Sequence, residues 1–280
     1  MKKSKLAKSL AAFLVLGIST TSPASVVLNK VNTIDTTLGE GSAEITSYDK
    51  SNNKLFVINS AFASFGIYDF SNPSLVPAAT TINLSAYGAG PNSIAAHNGL
   101  VAVAVEASTK TDNGTVEFFD GNGQHLKTLS VGALPDMLAF THDGMKLVVA
   151  NEGEPDEGIN PMGTVSVIDL SAGVAAATVS NLDFSGFDQA DLGDTIIEAG
   201  VAVVDDMEPE YVAVSADNSR AFVTLQENNH IAMVDLASGT VTASFSAGTV
   251  DLSQIDTQKD GKLLAIDSLD AVVREPGRVT

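Results

Sequence analysis

Side chains that carry oxygen atoms recur at two equivalent points in four segments of this sequence. In each segment one stands at the start of a first apolar stretch and one at the end of a second. Six of the eight are carboxylates, and hard cations such as Ca²⁺ take six to eight oxygen ligands from carboxylates, amides and carbonyls. Clustered carboxylates repel one another unless a cation or protons compensate their charge. The positions are Glu44, Asn92, Asp136 and Glu210 at the starts, and Asn59, Glu106, Glu152 and Glu227 at the ends.

These positions form a cation site only if the fold brings them to one face. The alternative is a hydrated polar opening without a specific ion, because acidic loops are commonly just solvated. The candidate ion is Ca²⁺, and the candidate metal ligands are Glu44, Glu106, Asp136, Glu152, Glu210 and Glu227. Further acidic residues lie in the adjoining loops: Asp112, Glu154, Asp156, Glu157, Asp205, Asp206 and Glu208.

Other catalytic and metal-binding patterns are weak. The sequence has no cysteine, which disfavours a structural zinc site. It has neither a G-x-S-x-G nucleophile elbow nor a phosphate-binding P-loop, so no catalytic residue and no cofactor follow from a motif. The histidines stand at turns and strand ends without paired metal spacing: His97, His125, His142 and His230.

The elements that must position these residues are repeated β-units. Each unit has two apolar strands joined by a polar turn, a variable loop, and a third alternating strand that ends in Asp. The starts at 44, 92, 136 and 210 are 48, 44 and 74 residues apart, and the first two spacings match a four-stranded propeller blade. The longest spacing contains an insertion at about 180–207. The units are Glu44–Asp69, Asn92–Asp120, Asp136–Asp169 and Glu210–Asp235.

A fourth strand completes each unit in this interpretation. It is predicted at Thr80–Leu84, His125–Ser130 and Thr240–Ser246, and only weakly at Val174–Val179 in the third unit. A short helix is possible near Thr195–Ala199. The predicted fold class is all-β, a β-propeller with about four blades present as part of a seven-bladed ring; a sandwich or solenoid is the alternative.

The two ends of the chain lie outside these units. Basic, apolar and small residues follow one another in residues 1–24, which is the order of a secretory signal cleaved after Ala24. Residues 25–275 are then an incomplete propeller domain, and 276–280 a divergent tail. Strands are also predicted at Val31–Thr36 and Lys262–Asp267, and Pro276 stands where a fifth unit would open, which predicts a truncated product.

The formal net charge of −19 limits the class of partner. Such a field repels nucleic acid and anionic lipid, so no nucleic-acid partner is expected, and it attracts cations. Solubility outside the cell would explain the same charge. No transmembrane segment is predicted after signal cleavage, since no other apolar run approaches roughly 20 residues.

Several multi-residue motifs resemble one known family in the same order. They are Pro135–Met137, Leu147–Pro155, Gly163–Asp169, Asp206–Val212 and Val223–Asn229. Over roughly residues 30–275 the chain resembles the choice-of-anchor I family, which is related to the mesenchyme-specific cell-surface glycoproteins of animals. The resemblance implies a secreted or surface-anchored propeller of the YVTN/WD40-like kind.

Two classes of function follow. The first is an exported, surface-associated propeller that acts as a non-catalytic binding or adhesion module for an extracellular ligand or surface component, with cation binding. The second is a metal-dependent, phosphatase-like hydrolase with the acidic channel cation as Lewis acid. The missing nucleophile motifs favour the first class.

Overall fold

The computed structural model describes residues 30–36, 38–39, 42–75, 77–187, 197, 200–258 and 267–277. The predicted signal peptide, residues 1–24, lies outside the described residues. So do the predicted helix near Thr195–Ala199, apart from Ile197, and the predicted strand at Lys262–Asp267, apart from its last residue.

Four antiparallel sheets of four strands each follow one another along the chain. The first contains β1 (Thr46–Asp49), β2 (Lys54–Asn59), β3 (Ser64–Asp69) and β4 (Thr80–Asn83). The second contains β5 (Gly90–His97), β6 (Leu100–Glu106), β7 (Asn113–Asp120) and β8 (His125–Ala133). The third contains β9 (Pro135–Phe140), β10 (Lys146–Asn151), β11 (Thr164–Asp169) and β12 (Thr178–Leu182). The fourth contains β13 (Pro209–Val214), β14 (Arg220–Leu225), β15 (His230–Asp235) and β16 (Thr240–Ser246).

The sheets are arranged as the blades of a β-propeller. Within each sheet every strand pairs with the next one along the chain. The first strands β1, β5, β9 and β13 contact one another in chain order, which places them innermost. The predicted all-β fold with about four propeller blades is therefore confirmed.

The hydrophobic core lies between consecutive sheets, because each strand alternates its side chains between two faces. In β7, Phe118 packs toward the third sheet with Leu147 and Ile168. Its neighbour Phe119 packs toward the first sheet, against Phe65. Both phenylalanines of this strand are at most 1% exposed, so the second sheet is buried on both faces.

The turns that follow the innermost strands are joined to one another. The carboxylate of Asp49 accepts a hydrogen bond from the Gly99 N–H at 2.6 Å, which links the first sheet to the second. The His142 N–H donates to Asn218 Oδ1 at 2.7 Å, which links the third sheet to the fourth. Between the second and third sheets, Gly144 lies so close to His97 that an added Cβ would be 2.5 Å from the imidazole.

Two predicted strands are wrong. Residues Val31–Thr36 form no strand; Asn32 Oδ1 accepts from the next backbone N–H at 2.8 Å, and such local bonds compete with a ladder. In the third unit the fourth strand is β12 rather than Val174–Val179. Gly173 has a φ of 83°, and a 3₁₀ turn at Val174–Ala176 follows it, so extended structure resumes only at Thr178.

The predicted insertion is partly structured. Its first residues belong to β12, and a 3₁₀ helix forms at Val203–Asp205. After the fourth sheet, β17 (Thr249–Ile255) and β18 (Asp267–Val273) pair as a separate two-stranded sheet. Among the described residues no helix is long and apolar enough to cross a bilayer.

Candidate acidic site at the end of the inner strands

Three of the predicted starting residues occupy equivalent β-bulges. In the second sheet Asn92 is the extra residue between Pro91 and Ser93, which pair with consecutive residues of β6. Asp136 is the extra residue of β9 in the third sheet. In the fourth sheet the same irregularity follows Pro209 and contains Glu210. Proline cannot donate a ladder hydrogen bond, and a bulge re-aims the side chain beside it, so this repeated Pro–polar pair turns an oxygen-bearing side chain out of the regular ladder.

The second group of predicted residues follows the second strands. Glu152 comes directly after the end of β10, and Glu227 comes two residues after the end of β14. Because antiparallel neighbours run in opposite directions, the start of each first strand and the end of each second strand lie at the same edge. Asp136 and Glu152 of the third sheet therefore meet Glu210 and Glu227 of the fourth.

Four carboxyl groups at this edge have raised pKa values. Burial is the main cause for each, and the negative charge of neighbouring carboxylates adds to it. Burial raises the pKa of Asp136 to about 6, with Glu154 and Glu227 adding to the effect. Burial, followed by the charges of Asp136 and Glu154, raises the pKa of Glu152 to about 8. We call six residues the acidic cluster. They are the four with raised pKa values, Asp136, Glu152, Glu208 and Glu210, together with Glu154 and Glu227.

The other two carboxyl groups with raised pKa values come from the segment that enters the fourth sheet. Burial, then the charges of Glu227 and Asp206, raises the pKa of Glu208 to about 7. Burial and the charge of Glu227 raise the pKa of Glu210 to about 8, and a hydrogen bond between the two carboxyl groups contributes. The acidic cluster thus joins the third and fourth sheets, and near neutral pH it holds protons that ordinary carboxylates would have lost.

A lysine from the second sheet extends into the acidic cluster. Lys110 lies in the loop between β6 and β7 and forms an ion pair with Glu154. The hydrogen bond to Glu154 raises the pKa of Lys110, and the charges of Glu152 and Asp156 add to this. In turn the ammonium group lowers the pKa of Glu208, partly opposing the effect of burial. Lys110 is therefore an internal counter-ion of the acidic cluster.

The structure does not bring all predicted ligands together. Glu44 is exposed, and neither it nor Glu106 is among the main contributors to the raised pKa values. Asn92 donates instead to the carbonyl of Pro135 at 3.2 Å, and Asn59 is buried at the end of β2. Within the described part of the chain, no three His, Asp or Glu side chains converge into a preformed metal site. The assignment of the six carboxylates as metal ligands stays a prediction.

The sequence predicted several acidic loop residues as neighbours of the site rather than as ligands. Glu154 and Glu208 belong to the acidic cluster itself, whereas Asp112, Asp156 and Glu157 are exposed. The Asp205 carbonyl accepts a hydrogen bond from Asn160, and the Asp206 carbonyl accepts one from Asn228. The motif Glu208–Glu210 has a carboxylate on each side of the bulge-forming proline, which is the signal that could have added Glu208.

A fully buried carboxylate outside the acidic cluster was not predicted from the sequence. Glu117 in β7 is 0% exposed and accepts hydrogen bonds from His125 Nε2 at 2.8 Å and from Thr128 Oγ1 at 2.6 Å. The His125 ring stacks on Tyr87, with 4.9 Å between the ring centroids. The signal was a Glu at an inward-facing position of an otherwise apolar alternating strand. This group lies in the core between the first and second sheets, apart from the acidic cluster.

The fold and the repeated bulged edge define a propeller domain built from consecutive four-stranded units. The choice-of-anchor I domain matches residues 44–273. The chain belongs to this family, as its motifs predicted. The family points to an exported or cell-surface protein. The comparison with curated protein sequences gives no match.

Comparison with solved structures gives partial matches at low sequence identity. A functionally unknown protein from Desulfotomaculum acetoxidans is 12% identical with a TM-score of 0.50, over 73% of this chain and 57% of that one. The β-propeller domain of Cps50 (Swd1) from Myceliophteria thermophila is 8% identical with a TM-score of 0.49, over 72% and 55%. Hydrazine synthase from Kuenenia stuttgartiensis is 15% identical with a TM-score of 0.40, over 69% and 64%. The match therefore spans less than two thirds of each of these structures.

Proposed function

We propose that this chain is a non-catalytic binding module displayed outside the cell, and that its acidic cluster takes a divalent cation, Ca²⁺ in the first place. The observation that supports the proposal most is the set of four raised carboxyl pKa values at one edge of the inner strands. The fold keeps these groups half-buried and close together, where ionisation is unfavourable. A bound cation would supply the charge that the unliganded edge obtains from protons and from Lys110.

The ligand set differs from the one predicted from the sequence. Asp136, Glu152, Glu210 and Glu227 remain candidates, and Glu154 and Glu208 join them. Neither Glu44 nor Glu106 is among the residues whose charges raise these pKa values. Carboxylate oxygens are the ligands that Ca²⁺ prefers, and it tolerates flexible geometry. Binding would therefore require the side chains to close around the ion, with release of the protons they hold near neutral pH.

Thermal unfolding with calcium, magnesium and chelator tests the cation. Since a ligand that binds only the folded state stabilises it by mass action, calcium at one hundred times its Kd would add about 2.7 kcal/mol. We expect a higher melting temperature with Ca²⁺ than with chelator at matched ionic strength. In the double variant Glu152→Gln and Glu210→Gln, the difference should disappear.

Glu44→Gln is the matched control, because it removes one carboxylate outside the acidic cluster. It should leave the calcium response unchanged. Equal melting temperatures with calcium and with chelator in the parent protein would contradict the cation proposal. A response of the same size for every divalent salt would indicate screening rather than a site.

Export is the second part of the proposal. The basic, apolar and small-residue order of residues 1–24 supports cleavage after Ala24, and membership of the choice-of-anchor I family supports a surface location. N-terminal sequencing of secreted or surface-released protein should give a start near Ser25. An intact Met1 in the cytoplasmic fraction would contradict it.

A further inference from the structure

A second concave site lies at the opposite end of the inner strands. A cavity of about 480 Å³ opens where β1, β5 and β9 end, and this volume is within the range of small-molecule sites. The acidic cluster lies where the inner strands begin, so the two sites do not overlap. The side chains that give the cavity its chemistry are Tyr48, Lys50, His97, Asn98, Phe140 and His142.

Small side chains are part of the lining of the cavity. They are Ala95 and Ala96 in β5 and Ala139 in β9. The Ala96 N–H donates to Ser47 Oγ at 2.9 Å, which holds the inner strands of the first two sheets beside one another. This bond fixes the spacing of the two strands on one side of the cavity.

Ring surfaces line the rim of the cavity. Tyr48 is 50% exposed, and its hydroxyl donates to Asn53 Oδ1 at 2.9 Å, which fixes the direction of the ring. The rings of His97 and Phe140 lie against each other with 5.8 Å between their centroids. Asn98 Nδ2 lies 2.9 Å from His97 Nε2 and holds the imidazole from the other side. Oriented rings with polar edges present an apolar face and hydrogen-bonding groups together.

The three turns around the rim are held rigidly. Asp49 joins the first turn to the second through Gly99, and Gly144 packs on His97 to join the second to the third. The third turn is anchored in turn by Asn218 through the backbone of His142. A rim that is already ordered loses little conformational entropy when a ligand binds, which favours affinity.

The rim offers many hydrogen-bonding groups and few charges. The Asp49 carboxylate is already used, because its two oxygens accept from the N–H groups of Ser51 and Gly99. What remains for a ligand is the His142 imidazole, the Lys50 ammonium group, the exposed ring of Tyr48, and the polar atoms of His97 and Asn98 that their mutual contact does not use. A pyranose ring carries hydroxyl groups at its edge and C–H groups on its faces, which match these partners. We propose that this cavity binds a saccharide.

Ligand-observed saturation-transfer NMR on the whole chain tests the proposal. The probes are glucose, galactose, mannose and N-acetylglucosamine, each at about 10 mM, which saturates a site with a Kd of about 1 mM. We expect transfer to the ring protons of at least one sugar. Tyr48→Ala and His142→Ala should each reduce that transfer at least fivefold. His142 is exposed and its bond to Asn218 uses the backbone, so this variant keeps the fold.

Phe245→Ala is the matched control, since it removes a 44% exposed aromatic ring from the fourth sheet, away from this cavity. It should leave the transfer unchanged. The proposal is overturned if no sugar of the panel receives saturation, or if Phe245→Ala reduces the transfer as much as Tyr48→Ala does. Neither result bears on the cation proposal, which concerns the other end of the inner strands.

Discussion

Glu210 faces Glu227, and burial, the charge of Glu227 and a hydrogen bond between the two carboxyl groups together raise the pKa of Glu210 to about 8. The pair is set up by the chain geometry, because Glu210 lies in the bulge that opens β13 and Glu227 follows the partner strand β14. Glu210 therefore keeps its proton at neutral pH, where an ordinary carboxyl group has lost it. The charge of the acidic cluster is therefore sensitive to pH near neutrality.

The stability of the folded state should fall as pH rises through the neutral range. Glu152 and Glu210 titrate near 4.5 when unfolded and near 8 when folded, so between these values the folded state binds more protons. Stability then decreases with increasing pH, and the loss is complete above about pH 8. In chelator, the melting temperature should be higher at pH 5 than at pH 8. The double variant Glu152→Gln and Glu210→Gln should show a clearly smaller decrease.

Glu44→Gln controls for net charge in this experiment, since general repulsion in an acidic protein also grows with pH. It should retain nearly the whole pH dependence of the parent. A parent protein that melts at a higher temperature at pH 8 than at pH 5 would show that the raised pKa values are wrong.

Removal of Lys110 should strengthen the response to calcium. Both partners of the Lys110–Glu154 ion pair are partly exposed, so Lys110→Met should cost only about 0–1 kcal/mol of unfolding free energy. Without the ammonium group the acidic cluster has more uncompensated charge, and the calcium-induced rise in melting temperature should increase. Lys146→Met, which removes a lysine 3.9 Å from Asp169, is the control and should leave the calcium response as it is. A smaller calcium response in Lys110→Met would contradict the role of Lys110 as internal counter-ion.

Loss of the His125 side chain should destabilise the interface between the first two sheets. Glu117 is fully buried, and a buried acceptor that loses a donor costs about 1–3 kcal/mol. Urea unfolding of His125→Ala should show a loss in this range. The exposed His142→Ala should lie within about 0.5 kcal/mol of the parent. If both histidine variants unfold alike, the Glu117–His125 contact does not stabilise the protein.

Gly163→Ala should disturb the acidic cluster through the backbone. An added Cβ would lie 1.9 Å from the Met207 carbonyl and 2.7 Å from the Glu152 carbonyl, so both segments would have to move. We expect lower stability and loss of the calcium response in the same variant. Gly173→Ala is the comparison, because nothing lies within 4 Å of its added Cβ, although its φ of 83° also disfavours a side chain. Loss of the calcium response in Gly173→Ala as well would show that it follows from lower stability rather than from the contacts of Gly163.

The period and polarity of the units were sufficient to predict the propeller and the edge where Asp136, Glu152, Glu210 and Glu227 meet. Strand alternation and turn residues are local signals, so they can be read from the sequence. Which of the six carboxylates raise one another's pKa values could not be predicted, because it depends on the distances between sheets. The bulges that turn Asn92, Asp136 and Glu210 out of the regular ladder could not be predicted either. Their only sign in the sequence is the proline that precedes each of these residues.

The cavity was missed for a different reason. Its histidines, His97 and His142, come from different units, and each looks like an ordinary turn residue in its own unit. Only the packing of three turns places His97, Phe140 and Tyr48 around one space. Likewise, Val174 carries a strand-like pattern, and the positive φ of Gly173 prevents extension there.

The hydrogen bonds between the turns have a consequence for cooperativity. Asp49 with Gly99, and Asn218 with His142, each connect only consecutive sheets, so the domain is stabilised by nearest-neighbour contacts as in repeat proteins. If the fourth sheet opens locally, its three carboxylates separate from Asp136 and Glu152. The cavity between the first three turns stays intact. The three carboxylates are Glu208, Glu210 and Glu227. The two sites therefore belong to different units of local unfolding. Native-state hydrogen exchange would resolve them as separate protected groups, and calcium would slow exchange in the fourth sheet before it affected the first.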